Sequence, residues 1–280
     1  MRIAVTGAHG YLGQAITQTL RSQGHEVFEL VRRESSSPQQ IRFALGNPVD
    51  PSFFESRGIE SLIHVAYDFR QTDWDSIQRI NVDGSRALFA AFKAGGGRHG
   101  VYISTVAAWA GCRSMYGRAK LLTEKAAVEN GLWVVRPGLI RGGAPGGIVG
   151  TMLRFVRKLP MVPVIGYGLK CLYPIRINTL CEVVACIAVR DPLDNSDALV
   201  IAADPIPMSL DEVVREMMAE HGLGRRILIP VPWQAAWMIL RFIESLGMSI
   251  GLRSDSVVSL MNQDPNAQVR DLDALMRRDG

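Results

Sequence analysis

The sequence predicts an α/β fold in which a doubly wound parallel sheet carries helices on both faces. An apolar N-terminal run leads straight into a glycine-spaced turn, and short apolar runs then alternate with helical patterns as far as residue 203. The length of 280 residues, with 48% apolar and 21% charged residues, suits one large α/β domain or a nucleotide-binding domain with a smaller appendage. We therefore expect the wound sheet to be followed by a small, mostly helical C-terminal region.

The glycine-spaced turn predicts a dinucleotide-binding site. Residues 1–5 form the apolar run, and Gly7, Gly10 and Gly13 follow it at equal intervals. Glycine lets a backbone turn tightly and approach phosphates, and the N-terminus of the next helix supplies free N–H groups and a positive dipole end. Residues 27–31 read as a second strand and complete a βαβ unit. The alternative is a glycine-rich turn that binds no ligand.

Two arginines follow the second strand. Arg32 and Arg33 occupy the position at which an NAD-binding protein usually carries an acidic residue for the ribose 2′-hydroxyl. A guanidinium cannot accept that hydrogen bond, but it can bind a 2′-phosphate. We therefore predict NADP as the cofactor, with NAD as the alternative. A solvated basic pair at the end of a strand is the other interpretation.

The remaining strands and helices continue the same alternation. Since ligands bind beyond the carboxyl ends of parallel strands, Ser104 and Thr105 lie where chemistry is expected. We interpret His64 as a strand-end residue with local hydrogen bonds, and the glycines of residues 142–147 as a loop that either covers the substrate or faces solvent. Strands are predicted at residues 41–45, 61–66, 100–105, 133–137 and 198–202, and helices at residues 51–57, 81–94, 116–128, 150–158 and 180–189.

Tyr116 and Lys120 are the main candidates for catalysis. They lie four residues apart in a predicted helix and therefore share one face of it. A nearby ammonium favours the phenolate, so we expect Lys120 to lower the pKa of Tyr116. Tyr116 would then exchange a proton with a hydroxyl or carbonyl oxygen at neutral pH. The alternative is a surface pair without a catalytic role.

These features together resemble the extended short-chain dehydrogenase/reductase family, including its NAD-dependent epimerase/dehydratase group, and the resemblance implies a Rossmann fold. It covers roughly the first half of the chain. Trp109-Ala110 stands where many relatives have Tyr-Gly, which weakens any inference about the substrate. The motifs that carry the resemblance are Thr6-Gly7-x-x-Gly10-x-x-Gly13, Asn81-Val82-x-Gly84, Ile103-Ser104-Thr105, Tyr116-x-x-x-Lys120 and Arg136-Pro137-Gly138.

The resemblance also implies a role for each matching residue. Tyr116 would be the catalytic acid/base, and Lys120 would bind the nicotinamide ribose and tune the tyrosine. Thr105 would hydrogen-bond the reacting oxygen, and Asn81 would support the proton path or the local helix geometry. The residues expected to bind the cofactor are Gly7, Gly10, Tyr11, Leu12, Gly13, Arg32, Arg33, Asn47, Ala66, Lys120, Pro137 and Gly138.

The C-terminal part is predicted to form the substrate region. We place the dinucleotide-binding domain at residues 1–203, with residues 142–178 contributing to the substrate region, and the C-terminal substrate-binding region at residues 204–280. Ser209 and Glu212 predict a capping box at a helix start. We expect the apolar helix at residues 232–246 to cover the substrate cleft rather than lie on a membrane surface or at a subunit interface.

Composition and charge argue against several classes of protein. The net charge of +4 is dispersed without long basic runs, so a nucleic-acid partner is not expected. The 4 cysteines show no Cys-x-x-Cys spacing and no nearby histidine pair, so we expect no metal. The N-terminal apolar residues belong to the first strand rather than to a signal peptide, and we expect a cytoplasmic protein. The resemblance allows a homodimer formed through residues 86–92 and 116–128.

The predicted function is that of an NADP-dependent oxidoreductase or epimerase acting on a small molecule with a secondary alcohol or ketone. Hydride would move between the nicotinamide and a substrate carbon while Tyr116 moves the proton on the attached oxygen. A nucleotide sugar is the first substrate that the resemblance suggests. Two alternatives remain: a reductase of a hydrophobic ketone, such as a sterol-like or polyketide-like compound, and a non-catalytic dinucleotide-binding or assembly protein.

Overall fold

The computed structural model describes residues 1–33, 37–143, 146–190, 198–248 and 251–277. Its strands are β1 (Arg2–Thr6), β2 (Glu26–Val31), β3 (Gln40–Arg42), β4 (Ser61–His64), β5 (His99–Ile103), β6 (Trp133–Pro137), β7 (Leu139–Arg141), β8 (Met161–Ile165), β9 (Pro174–Arg176), β10 (Leu199–Ala202) and β11 (Ile227–Val231). Its helices are α1 (Tyr11–Ser22), α2 (Ser52–Glu55), α3 (Trp74–Ile77), α4 (Gly84–Ala94), α5 (Met115–Glu129), α6 (Gly147–Lys158), α7 (Ile177–Ile187), α8 (Leu210–Glu220), α9 (Trp233–Ser245), α10 (Ser254–Met261) and α11 (Leu272–Met276).

The main sheet of the described chain has seven parallel strands in the order β10-β6-β5-β4-β1-β2-β3. Strand β1 lies between β2 and β4, so the winding direction reverses beside the end of β1. A crevice opens at such a reversal, outside the carboxyl ends of the strands. The predicted doubly wound Rossmann fold is confirmed.

Both faces of the sheet are buried, because strand residues alternate between two hydrophobic cores. Ile3 and Val5 contact one core with residues of α1 and α7, whereas Ala4 contacts the other core with residues of α2, α4 and α5. Helix α11, near the C-terminus, also packs on the first core through the buried side chain of Leu275. The division of the chain at residue 203 stays a prediction.

A third core lies in the part of the chain that is predicted to form the substrate region. Strands β8 and β11 pair in parallel, and their inward side chains pack with α6, α8 and α10. Helix α8 begins with the predicted capping box, in which Ser209 accepts a hydrogen bond from the Glu212 backbone and the Glu212 carboxylate accepts one from the Ser209 backbone. The region is mostly helical, with β8 and β11 as its small sheet.

One helix begins earlier than the sequence predicts. The Asp73 side chain accepts a hydrogen bond from the Ser76 backbone and starts α3, which continues through a π-helical segment (Gln78–Asp83) into α4. The prediction began this helix at Asn81, because the apolar spacing is regular only beyond that residue. Wide π-helical turns occur often at functional sites, and this one carries Asn81.

Candidate active site

The glycine turn between β1 and α1 has no room for side chains. Gly7 adopts φ +68°, and a Cβ on this residue would lie 3.0 Å from the backbone nitrogen of Ala66. A Cβ on Gly13 would lie 2.1 Å from the carbonyl oxygen of Gly7. Gly10 caps α1, and its amide donates a hydrogen bond to that same carbonyl. The turn therefore fits a pyrophosphate at the start of α1, because only backbone borders it on this side.

Buried hydrogen bonds tie this turn to the end of β4. The Thr6 hydroxyl accepts hydrogen bonds of 3.1 Å from the backbone amides of Val65 and Ala66. Its own proton is therefore free to be donated to Nδ1 of His64 at 2.7 Å. Since Nδ1 then accepts, the neutral imidazole carries its proton on Nε2.

The chain of hydrogen bonds continues into the π-helical segment. His64 Nε2 donates to the Ser85 hydroxyl at 2.9 Å, and that hydroxyl donates to the Asn81 carbonyl oxygen at 2.5 Å. Burial, with a smaller contribution from the positive charge of Lys120, lowers the pKa of His64 to about 3. The interpretation of His64 as a locally bonded residue is confirmed.

Asn81 holds the chain beyond β4 rather than lining the main cavity. Its side chain accepts a hydrogen bond of 2.6 Å from the Asp68 amide and donates one of 3.3 Å to the Asp68 carbonyl. The side chain is buried at the same time. A part in the proton path stays a prediction, whereas a contribution to local geometry is visible in these two bonds.

A cavity of about 310 Å³ opens at the carboxyl ends of the central strands. It brings together residues that the sequence separates widely, including Thr105 after β5, Tyr116 and Lys120 on α5, and Pro137 and Gly138 at the end of β6. Tyr11 and Leu12 of α1 also line it. The candidate catalytic residues therefore share one cavity with the start of the helix that follows the glycine turn.

Lys120 is surrounded by the rings of three tyrosines. Its Nζ donates a hydrogen bond of 2.7 Å to the carbonyl oxygen of Ile103. The same nitrogen lies 4.8 Å from the ring centre of Tyr102, 5.4 Å from that of Tyr67 and 5.9 Å from that of Tyr116. Burial lowers the pKa of Lys120 to about 7, and the carboxylate of Glu124 opposes this change.

The pKa of Tyr116 differs from the prediction. Burial raises the pKa of this phenol, whereas the sequence analysis expected Lys120 to lower it. The Tyr116 ring packs against Tyr67 and Phe69, with ring centres 4.9 Å and 5.6 Å away. These aromatic neighbours exclude the water that a phenolate needs, and Lys120 is itself poorly solvated. Tyr116 is therefore protonated at neutral pH in this structure.

Helix α10 fixes the start of α5, the helix that carries Tyr116 and Lys120. The Asp255 carboxylate accepts hydrogen bonds of 2.8 Å from the Met115 amide and 3.0 Å from the Tyr116 amide. Trp109, in the loop before α5, donates from its indole nitrogen to the Asn262 carbonyl at 3.1 Å. Neither contact could be predicted, because no local pattern links residues 140 and 153 positions apart.

The helix that covers the cleft is α10 rather than α9. The cavity wall includes Arg253, Asp255, Ser259 and Leu260, and none of its described lining residues belongs to α9. Helix α9 packs instead on α10. The expectation for residues 232–246 was therefore wrong, because apolar spacing marks a face without showing what it contacts.

The glycine loop after β7 contacts the start of α1. The Tyr11 hydroxyl donates to the Gly142 carbonyl, and a Cβ on Gly146 would lie 2.5 Å from the Cβ of Tyr11. Gly146 and Gly147 also line the cavity. Residues 144–145 of this loop lie outside the described residues.

A buried ion pair joins the helix that carries Tyr116 to the sheet. Arg136 donates to the two oxygens of Glu124 at 2.8 Å and 2.6 Å, and Ser104 donates to one of those oxygens. The hydroxyl proton of Ser104 is therefore already donated to a protein group, unlike a hydroxyl that is available to a ligand. The pair links α5 to β5 and β6, the elements that carry Tyr116, Thr105 and Pro137.

A second cavity of about 420 Å³ lies at the end of β2. Arg32 and Asn47 line it, whereas Arg33 is exposed and does not line it; a role of these residues at the adenosine end of a cofactor stays a prediction. Arg42, in β3, lines the same cavity and was missed by the sequence analysis. The sequence signal for Arg42 was its position in the strand next to β2, where it pairs with Val31, the residue before Arg32.

Residues 3–130 match the sequence model of the family "NAD dependent epimerase/dehydratase". This part of the chain contains the glycine turn and the Tyr116–Lys120 pair, and the match confirms the resemblance stated above. Among the described residues no group of three or more His, Cys, Asp or Glu could hold a metal ion.

Three curated reductases are similar to parts of the chain. A ceramide reductase of Caulobacter vibrioides is 29% identical over 171 residues, which cover 58% of this chain and 53% of that protein. A putative dihydroflavonol 4-reductase of Synechocystis is 34% identical over 37% of this chain and 32% of its own length. A 2-alkyl-3-oxoalkanoate reductase of Stenotrophomonas maltophilia is 33% identical over 38% and 33%. The matches thus span about half or less of these relatives.

Solved structures share the fold over nearly the whole chain. MoeE5 in complex with UDP-glucuronic acid and NAD is 20% identical, with a TM-score of 0.67 over 94% of this chain and 97% of its own. The dTDP-4-dehydrorhamnose reductase of Bacillus anthracis in complex with NADP is 17% identical, with a TM-score of 0.68 over 92% and 97%. At these identities the likeness concerns the fold.

Proposed function

We propose that this protein is an NADPH-dependent reductase of an apolar ketone, with Tyr116 as the proton donor. The observation that carries the proposal is the cavity at the strand ends, where Thr105, Tyr116 and Lys120 meet Pro137 and Gly138. A proton donor, a second hydroxyl and a buried amine in one cleft are the groups that carbonyl reduction needs beside a nicotinamide.

The cavity wall favours an apolar substrate. Its side chains include Phe69, Ile77, Ile148, Val149 and Leu260. Burial of such surfaces against a hydrocarbon group is favourable, whereas a sugar hydroxyl there would lose its hydrogen bonds to water.

The charged groups of the wall already have protein partners. Among the described residues that line the cavity, the cations are Lys120 and Arg253. Arg253 donates from one nitrogen to the backbone carbonyls of Phe69 and Gln71, at 2.9 Å and 3.1 Å. A nucleotide-sugar diphosphate would need cations that are free to bind it. The substrate classes in the names of the three similar reductases also favour the apolar ketone over the nucleotide sugar that the sequence analysis put first.

Thr105, Tyr116 and Lys120 have the functional groups that reduction of a ketone requires. NADPH, when bound, supplies the hydride that reaches the carbonyl carbon. The Thr105 hydroxyl would hold the carbonyl oxygen, and Tyr116, protonated at neutral pH, would donate its proton to that oxygen as negative charge develops there. Lys120 would then stabilise the tyrosinate through its positive charge until a proton returns from solvent.

Arg32 and Arg42 support the choice of NADP. Both guanidinium groups border the cavity at the end of β2, where a 2′-phosphate of the adenosine would lie. Two cations there favour the phosphate through charge-assisted hydrogen bonds.

A substrate panel tests the proposal. We expect purified protein to oxidise NADPH in the presence of long-chain 3-oxo compounds or cyclic aromatic ketones, and to leave dTDP- and UDP-linked keto sugars unreduced. Turnover of a keto sugar with no turnover of any apolar ketone would reverse the substrate assignment. Binding of NADPH with turnover of neither class would support the non-catalytic alternative.

A further inference from the structure

The C-terminal region presents a run of apolar side chains to solvent. In the 13-residue helix α9, Met238, Ile239 and Phe242 are 58%, 58% and 65% exposed. Leu246 and Met248, just beyond the helix, are 59% and 58% exposed. Exposed apolar areas of this kind mark surfaces that contact another molecule or a membrane.

The small sheet that precedes α9 is also apolar on its outer side. The register pairs Met161 with Ile227 and Pro163 with Ile229, and all four side chains are exposed. Val162 and Val164 of β8 and Leu228 of β11 pack in the third core. Only Pro232 separates β11 from α9, so the exposed residues of the small sheet and of the helix lie close together along the chain. We call these four residues, together with Met238, Ile239, Phe242, Leu246 and Met248, the apolar face.

Basic side chains lie at the start of this small sheet. Arg157 and Lys158 end α6, directly before β8, and Arg225 lies just before β11. The segment between α6 and β8 is joined to the start of β11 by hydrogen bonds. Arg226 donates to the Val156 carbonyl at 3.2 Å, and the Ile227 amide donates to the Pro160 carbonyl at 3.2 Å. Arg157, Lys158 and Arg225 are exposed.

The two chain segments that carry the apolar face are basic. Residues 150–165 and 223–248 contain six basic side chains and one acidic side chain, Glu244. The whole chain has a net charge of only +4, so the rest of it is close to neutral. Glu244 is itself engaged, since it accepts hydrogen bonds from the backbone and the hydroxyl of Ser254.

We propose that the apolar face docks this protein on the surface of an anionic lipid bilayer. Exposed Met, Ile, Leu and Phe side chains would enter the boundary between headgroups and acyl chains, and the basic residues would contact the lipid phosphates. None of the described helices is long and apolar enough to cross a bilayer. Docking therefore involves a helix lying on the surface.

This docking places the substrate cavity near the lipid. Helix α9 packs on α10, and α10 forms one wall of the cavity. An apolar ketone dissolved in the bilayer would then have a short path to Tyr116. The apolar face and the basic residues near it do not depend on the proposed reaction, and lipid binding can be measured without turnover.

Flotation with vesicles tests the docking. We expect the protein to float with vesicles of equal parts phosphatidylcholine and phosphatidylglycerol, to stay behind with pure phosphatidylcholine, and to be released by high salt. The pair Ile239→Glu and Phe242→Glu should lower the partition coefficient at least about tenfold, and so should the pair Lys158→Glu and Arg225→Glu. Ile206→Glu is the matched control, because Ile206 is 74% exposed outside the apolar face.

Three results would overturn the docking. These are a wild-type protein that floats with neither vesicle, an Ile239→Glu/Phe242→Glu variant that floats as well as the wild type, and a dimer that this variant converts to a monomer in light scattering. The last result would assign the face to a second copy of the chain. Thermal melting of each variant checks that its fold is intact.

Discussion

The buried imidazole of His64 makes the stability of the protein depend on pH. Its pKa is about 3 in the folded chain, against 6.5 when it is exposed. Between these values the unfolded chain binds a proton that the folded chain does not. The contribution of the neutral His64 side chain to the unfolding free energy is therefore complete above pH 6.5, and it decreases as the pH falls toward 3. Each pH unit below 6.5 removes about 1.4 kcal/mol of unfolding free energy, so about 2 kcal/mol is lost by pH 5.

Urea unfolding of the wild type and of His64→Gln at pH 7 and pH 5 measures this loss. The variant should be less stable at pH 7, because a hydrogen-bond chain is disturbed, but its unfolding free energy should fall by about 2 kcal/mol less between the two pH values. His221→Gln is the control for the loss of an imidazole, since His221 is exposed at the end of α8 and lies outside this hydrogen-bond chain. An equal loss in wild type and His64→Gln would refute the buried, neutral imidazole.

Three further substitutions test other parts of the structure. Replacing Arg32 and Arg42 together by serine should weaken NADPH binding about 10- to 100-fold in a fluorescence titration and leave NADH binding nearly unchanged; equal losses for both cofactors would remove the 2′-phosphate assignment. Glu124→Gln leaves the buried charge of Arg136 without its partner and should lower the unfolding free energy by about 3–5 kcal/mol, whereas Glu129→Gln at the exposed end of α5 should change it little. Asp255→Asn, which weakens the hydrogen bonds to the start of α5, should lower kcat with little change in NADPH affinity; an unchanged kcat would show that the hydrogen bonds from α5 to Asp255 do not affect turnover.

The sheet and most of the site could be predicted because their signals are local. The glycine turn, the two arginines after β2 and the spacing of Tyr116 and Lys120 each lie within a few residues of sequence. Parallel topology then brings Thr105 and Pro137 to the same edge, since ligands bind at the carboxyl ends of such strands. The apolar cavity, in contrast, is visible only once distant segments meet.

Three features could not be predicted, each for a physical reason. The pKa of Tyr116 depends on the burial that Tyr67 and Phe69 provide, and these rings lie far from it in sequence. The hydrogen bonds of Asp255 join α10 to α5 over about 140 residues. The apolar spacing of α9 was correct, but spacing does not tell whether an apolar face meets protein, lipid or water.

Substitution of Tyr116 by phenylalanine tests most directly whether this phenol supplies the proton for ketone reduction. Single-turnover oxidation of NADPH by an apolar ketone should slow by at least about a hundredfold in Tyr116→Phe, because the proton donor is lost. The Kd of NADPH should stay nearly unchanged, since the cofactor-binding residues remain. A variant that reduces the ketone at the wild-type rate would contradict the mechanism.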